Sequence, residues 1–389
     1  MLRYLTAGES HGKALITILE GIPAGLKLTG RDIDQELERR QSGYGRGGRM
    51  KIEKDRVEIL SGVRLGETIG SPIALMVKNL DWENWKQIMR IEEGETSFEE
   101  VPSATSPRPG HADLAGAIKR NFKDIRNVLE RASARETVAR VVVGAICKKF
   151  LREFGLSIYS RVVQIGRIRD ESDWSIALAN YRMIERSPVR CLNKETERDM
   201  IALIDEARER GDTLGGIFEV IVTRPPIGLG DYIQWDLKLD ARLAKAMMSI
   251  QAIVGVEVGL GFIAAGRFGS EVQDEIFYDS EEKRFYRRTN NAGGIEGGMS
   301  NGEPIILRAA MKPISTLRRP LSSVNLVTKK EVKAIKERAD ICAVPAASVI
   351  GEAAVAFEIA RAMREKFGGD SIEEVRRNYT SYMEYIKGF

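Results

Sequence analysis

Ser133-Ala134-Arg135-Glu136-Thr137-Val138-Ala139-Arg140-Val141-Val142-Val143-Gly144-Ala145-Ile146-Cys147-Lys148-Lys149-Phe150 is the stretch from which the architecture reads most clearly. Ser133 and Glu136 have the S-x-x-E spacing of a capping box, in which each side chain satisfies an amide at the helix start. Val138, Val141, Val142, Ala145, Ile146 and Phe150 follow at helical spacing, and Gly155 supplies a stop. Outward from here the same period recurs. Thr29 can cap a helix running to about Gln41, with Ile33 and Leu37 on one face. Lys194–Arg210 is charged and amphipathic, a helix from near Asp236 carries Leu239, Leu243 and Met247, and the tail repeats the capping box at Ser371 and Glu374. Short β-like runs lie between, at Arg56–Leu60, Ile73–Val77, Ile217–Val222, Val254–Val258 and Pro304–Ala310. They do not alternate with helices as a doubly wound parallel sheet requires, so periodicity alone predicts a mixed α and β chain. With no Ser/Gly/Pro linker and no internal repeat, residues 1–389 read as one large domain.

The totals bound the chemistry. Of the 389 residues 43 % are hydrophobic and 30 % charged, enough for a packed core, and the net charge of +4 does not by itself call for nucleic acid. Cys147, Cys191 and Cys342 are far apart and in no C-x-x-C pair, which argues against a disulfide framework or a zinc site and fits a reducing compartment. Met1–Ser10 lacks the apolar core of a signal peptide, and no run approaches the ~20 apolar residues of a membrane span. The expectation is a cytoplasmic protein without membrane partners. The 2 histidines, His11 and His111, rule out a three-histidine metal site within one chain, and no metal is expected.

Chemistry-bearing residues cluster in a few places. Gly8-Glu-Ser10-His11-Gly12 presents a hydroxyl and an imidazole on a tight turn; a plain surface turn is the alternative. Arg39–Lys51 is a basic, Gly-rich segment whose glycines match G-x-G-x-x-G, but it follows a charged helix instead of a strand, which excludes the dinucleotide fingerprint. Its arginines suit a small polyanion, a solvated basic loop or, less well, RNA. In Arg108-Pro-Gly-His111-Ala-Asp113 the carboxylate can orient the imidazole or cap the following helix, and capping is the simpler expectation. Arg131-Ala132-Ser133-Ala134-Arg135 places two arginines at a helix N-terminus, an anion site or an exposed face. Farther on lie Ser249-Ile-Gln251-Ala252, a loop with five glycines between Asn290 and Gly302, Lys312-Pro313-Ile314-Ser315-Thr316, and Arg338-Ala339-Asp340-Ile-Cys-Ala-Val-Pro-Ala-Ala347. The acidic run Ile91–Glu100, after Trp82 and Trp85, reads as an exposed loop.

Taken in order, these segments resemble the chorismate synthase family over about residues 3 to 360. The resemblance implies an α+β fold, a β-α-β sandwich with helices between antiparallel sheets, assembled as a homotetramer. It implies a lyase of the shikimate pathway that makes chorismate by anti-1,4-elimination of phosphate from 5-enolpyruvylshikimate-3-phosphate. Reduced FMN is required without net redox change. NADPH enters only if the chain reduces its own flavin; Arg40 and Arg46 could then touch that nucleotide, although substrate explains them equally. The expected partner is a small-molecule substrate, not nucleic acid.

By the same resemblance His11 protonates the departing phosphate, His111 sits at the flavin N1/C2 carbonyl edge, and Asp340 takes the flavin N5 proton. Substrate contacts fall on Ser10, Arg40, Arg46, Arg49, Arg135 and Arg338. Flavin contacts fall on Arg131, Ala132, Ser133, Gln251, Ala252, Gly297, Lys312, Pro313, Ile314, Ser315, Thr316 and Arg338. One departure is visible: Ala339 stands where the family usually has serine.

Overall fold

The computed structural model describes residues 1–47, 54–92 and 103–389. Two antiparallel sheets lie on either side of a helical layer. The first contains β1 (Arg3–Ala7), β2 (Ala14–Glu20), β3 (Val57–Ile59) and β4 (Ile73–Lys78), in the order β1-β2-β4-β3. The second contains β5 (Ser157–Ile165), β6 (Ile168–Arg169), β7 (Gly216–Thr223), β8 (Ile253–Val258) and β9 (Ile305–Met311), in the order β8-β9-β7-β5-β6. The longer helices are α1 (Gly30–Gln41), α2 (Asp113–Arg120), α3 (Arg126–Ala132), α4 (Thr137–Arg152), α5 (Lys194–Arg210), α6 (Leu239–Met248), α7 (Val344–Phe367) and α8 (Ile372–Gly388). This is the mixed sandwich expected. No helix among the described residues is long and apolar enough to cross a membrane.

Helices α4 and α7 form the middle of the sandwich. Helix α4 packs on β1, β2 and β4, whereas α7 packs on β5 and β7, and the two helices pack on each other. Their crossing is close because Gly144 has no side chain: a Cβ there would meet the Ala353 Cβ at 2.3 Å. Gly351 does the same against the second sheet, where a Cβ would come within 2.5 Å of the Phe218 ring. Sequence periodicity missed α7 for a physical reason. It is buried on nearly all sides and rich in alanine, so it carries no polar face from which a period could be read. Strands β1, β2, β5 and β6 lie outside the β-like runs, and the five runs correspond to β3, β4, β7, β8 and β9.

Charges are buried in this layer as well. The Glu352 carboxylate of α7 takes a bidentate bond from Arg39 of α1, at 2.8 Å to each oxygen, and pairs with Lys148 of α4. Ser160 of β5 donates to it at 2.6 Å, and Arg190 lies 3.3 Å away. A carboxylate this deep survives only with such pairing.

Two capping expectations need correction. Ser133 caps a 3-10 turn, Ala134–Glu136, ahead of α4; its Oγ accepts the Arg135 amide at 3.3 Å. Glu136 does not reach back but pairs with Arg140 at 3.0 Å, so the box is incomplete. At α8 Ser371 accepts the Glu374 amide at 3.2 Å, but the Glu374 side chain accepts the Asp370 amide at 2.8 Å instead of that of Ser371, so this box too is incomplete. The expected cap of α1 does form, with Asp32 accepting the Thr29 amide at 2.9 Å.

Candidate active site

The loops at one end of this layer enclose a cavity of about 510 Å³, within the usual range for a small-molecule site. Its walls come from the β1–β2 turn, the C-terminal side of α1, and the segment joining α3 to α4. The turns before α2 and β8, the segments after β4 and β9 and the approach to α7 complete it.

The β1–β2 turn carries Ser10 and His11. Gly8 must be glycine, since its φ is +105° and a Cβ would lie 2.3 Å from the Ala14 carbonyl oxygen. Asn79, just past β4, pins the turn by donating to the carbonyls of Glu9 at 3.1 Å and Gly12 at 2.7 Å. Glu130 of α3 holds the histidine twice: the His11 amide donates to Oε2 at 2.7 Å, and Nδ1 lies 2.8 Å from Oε1. Burial alone would raise the Glu130 pKa, but the hydrogen bonds and charge of His11 and the charge of Arg126 keep it below the usual range. The imidazole stacks on Trp85, ring centroids 3.8 Å apart and planes within 20°. Ser133 Oγ donates to Ser10 Oγ at 3.1 Å.

The second histidine has a parallel arrangement. His111 Nδ1 lies 2.5 Å from Asp113 Oδ1, and Asp113 also accepts the Arg108 amide at 3.0 Å and its Nε at 2.9 Å. Burial opposes ionisation of Asp113, yet bonds from His111 and Arg108 hold its carboxyl far below the usual carboxylate range. The expectation that Asp113 merely caps α2 is therefore corrected: its side chain makes no cap bond and is spent on His111 and Arg108. Arg108 extends to Thr316 Oγ1 at 2.8 Å, tying the segment after β9 to the histidine turn.

Cations crowd the cavity wall. Arg40 is buried, bonded to Thr137 Oγ1 through Nη2 at 2.9 Å and to the Ala134 carbonyl at 3.1 Å, while its Nη1 has no hydrogen-bond partner. Burial, with help from the charges of Arg46 and Arg135, pushes its pKa down to about 9, against the pull of Asp55. It remains a cation at neutral pH. Arg135 donates to Asn79 Oδ1 at 2.9 Å and pairs with Asp55 at 2.7 Å. Arg46 lies 3.3 Å from Asp340, whose Oδ1 accepts the Gly47 amide at 2.6 Å. Arg338 is largely exposed and reaches toward Asp81 at 3.8 Å. Among the described lining residues, Arg40, Arg46, Arg108, Arg135, Lys312 and Arg338 face only Asp81, Glu337 and Asp340 as acids. Asp55, Asp113 and Glu130 sit behind them, so the surplus of positive charge belongs to the surface a ligand would meet.

The sequence-derived residues gather here to a large degree. Ser10, His11, Arg40, Arg46, His111, Ala132, Ser133, Arg135, Gln251, Ala252, Lys312, Ile314, Ser315, Thr316, Arg338 and Asp340 all line the cavity. Pro313 is not itself part of the lining. Arg131 braces the site from outside by donating to the carbonyls of Gly8 at 2.9 Å and Thr6 at 3.0 Å. Gly297 lies in a small hairpin, Ile295–Glu296 with Met299–Ser300, away from the lining, so the Gly-rich loop forms no wall of this cavity. Arg49 and most of the 91–100 run lie outside the described residues. Sequence reasoning missed Glu130, Trp85, Asn79 and Asp55. Each stands on a different segment from the group it holds, and only Glu130, beside Arg131-Ala-Ser-Ala-Arg135, adjoined a segment singled out for its chemistry.

A chorismate synthase family model matches residues 2–363. The chain belongs to the chorismate synthase family. It is similar to the chorismate synthase of Aquifex aeolicus (strain VF5), 58 % identical over the whole of this chain and 99 % of that one. It is 57 % identical to that of Geobacter sulfurreducens (strain ATCC 51573 / DSM 12127 / PCA), with both chains fully covered. A crystal structure of a chorismate synthase superimposes with a TM-score of 0.81 at 47 % identity, covering 100 % of this chain and 99 % of the other. Membership makes the chain a lyase, and the β-α-β sandwich is the architecture of a known relative.

Proposed function

We propose that the cavity converts 5-enolpyruvylshikimate-3-phosphate to chorismate, losing the 3-phosphate and a C6 hydrogen in an anti-1,4-elimination. The observation that carries this reading is the wall of six cations facing three acids, with two carboxylate-held histidines in the same cavity. A substrate with two carboxylates and a phosphate needs such a wall, because buried anions must be paired.

Arg40, Arg46 and Arg135 bind the anionic groups and fix the ring. Arg40 suits this best, since its buried Nη1 makes no hydrogen bond, with Asp55 3.9 Å away. His11 donates a proton to the departing phosphate oxygen. Asp340, held by Arg46 and the Gly47 amide, is the acceptor for the proton released as the second C=C bond forms. The residues present also suit a reduced flavin. Leu129, Ile253, Val254 and Met311 offer an apolar wall for a flat ring, and the buried Oε1 of Gln251, without a partner, is an acceptor for a ring N–H. Ala132, Ser133, Ala252, Lys312 and Thr316 stand around it, with His111 at the polar edge. Reduced FMN, when bound, supplies electron density that eases cleavage of the C–O bond and recovers it by the end of the turnover.

An anaerobic assay with this substrate and chemically reduced FMN tests the reading. Chorismate and phosphate should appear in equal amounts, with neither when FMN is left oxidised. Folded protein that binds FMN yet releases neither product would show the substrate to be wrong. His11→Ala and His111→Ala should each lose about 10²–10⁴-fold in turnover while keeping wild-type circular dichroism.

A further inference from the structure

The histidine that faces the leaving phosphate is not free to choose its tautomer. We infer that Glu130 is a positioning residue that fixes the proton of His11 on Nδ1, leaving Nε2 as the nitrogen that exchanges a proton with the cavity. The inference rests on the acid role proposed for His11.

Four observations converge on it. Glu130 is buried, grips both the amide and Nδ1 of the same residue, and has its carboxyl held below the ordinary range by those bonds and by Arg126. A carboxylate accepts only, so the ring nitrogen facing it must be a donor. Trp85 stacks flat on the ring and blocks rotation out of plane, and Arg126 lies over the same indole at 5.2 Å. Through the same Nη1, Arg126 also donates to Glu337 at 3.0 Å and lies 3.5 Å from Glu130, so the cation over the indole is itself held in place. Nδ1 is thereby spent on protein.

The proton balance gives this arrangement its purpose. The imidazolium carries protons on both nitrogens, with the Nδ1–H directed at Glu130. Transfer of the Nε2 proton to the phosphate oxygen leaves the neutral Nδ1–H form, which already has its hydrogen bond. No tautomer exchange or ring flip intervenes before the next proton arrives at Nε2. With an amide at position 130, the side-chain NH2 can instead donate to Nδ1, which selects the opposite neutral tautomer and leaves Nε2 with a proton it holds in the resting state.

Because the chain has only 2 histidines, 15N-histidine labelling with long-range 1H–15N correlation resolves this directly, and a His111→Asn sample assigns the signals. On raising the pH, Nε2 of His11 should become pyridine-like in the wild type while Nδ1 stays protonated. In Glu130→Gln that preference should be lost. Its kcat should fall about 10²-fold with little change in KM, and His11→Ala/Glu130→Gln should be no slower than His11→Ala alone. Deprotonation of wild-type Nδ1 first, or independent and additive losses in the double variant, would overturn the inference. The tautomer needs neither turnover nor a substitution at 130, so it can be read whether or not the variant folds. Unimpaired catalysis by His11→Ala would instead remove the acid role on which the inference stands, while the measured tautomer remained valid.

Discussion

Replacing Glu352 with glutamine removes one negative charge from the centre of the helical layer at nearly constant volume. Arg39, Lys148 and Arg190 are balanced there by Glu36, Glu185 and Glu352; Lys148, Arg190 and Glu352 are buried, and Arg39, Glu36 and Glu185 close the cluster at its partly exposed edge. The amide leaves one buried cation in excess. Breaking a buried pair from one side costs about 3–5 kcal/mol. Unfolding entropy of about 2.1 cal/mol/K per residue amounts to roughly 0.8 kcal/mol/K for 389 residues, so the melting temperature should fall by about 4–6 °C. Scanning calorimetry of both proteins at one concentration and scan rate measures it. The pH dependence supplies a second check. Burial alone would raise the Glu352 pKa, but Arg39 and Lys148 hold it well below the ordinary 4.5. A carboxyl depressed in the folded state stabilises above its unfolded pKa and loses that contribution as pH falls through the folded one. The gap between wild type and variant should therefore be complete at pH 7 and narrow below about pH 4.5. A melting temperature within about 1 °C of wild type at pH 7, or a gap that widens on acidification, would refute the reasoning.

Two other substitutions probe the packing and the site. Gly144→Ala places a Cβ 2.3 Å from that of Ala353 and must push α4 from α7, so denaturant unfolding should show a loss of about 1–3 kcal/mol; unchanged stability would mean the crossing is looser than described. Arg40→Gln removes a buried guanidinium whose Nη1 makes no hydrogen bond, and kcat/KM for the proposed substrate, with its two carboxylates and phosphate, should fall about 30-fold or more, as expected for losing ~2 kcal/mol or more of charged hydrogen bonding. Wild-type kinetics in that variant would take Arg40 out of the substrate site.

Much of the site was legible because its groups lie in short, compositionally unusual words. A glycine on each side of Ser10 and His11, or a run such as Lys312–Thr316, survives in one dimension, and most of these residues do converge on one cavity. Asp113 shows the limit. Its position two residues after His111 suggested either of two bonds, and the simpler expectation failed because Arg108 and His111 both turn toward it. Glu130 shows a deeper one. It precedes a recognised segment by one residue, yet its partner is 119 residues away, and no local spacing encodes that pairing.

The sequence by itself determined the amphipathic helices α1, α4, α5 and α6, the capped tail helix, five of the strands and the identity of the chemical groups. These depend on interactions between residues a few positions apart, through period, cap and turn. Tertiary structure alone decided the rest. Helix α7 is apolar nearly all round, and its place is set by what packs on it, through Gly144 on one side and Phe218 on the other. The balance of charge around Glu352, the orientation of both imidazoles and the surplus of cations on the cavity wall all arise between segments far apart in the chain. Electrostatic and packing energies act through space, and a linear pattern records only the part of space that neighbouring residues share.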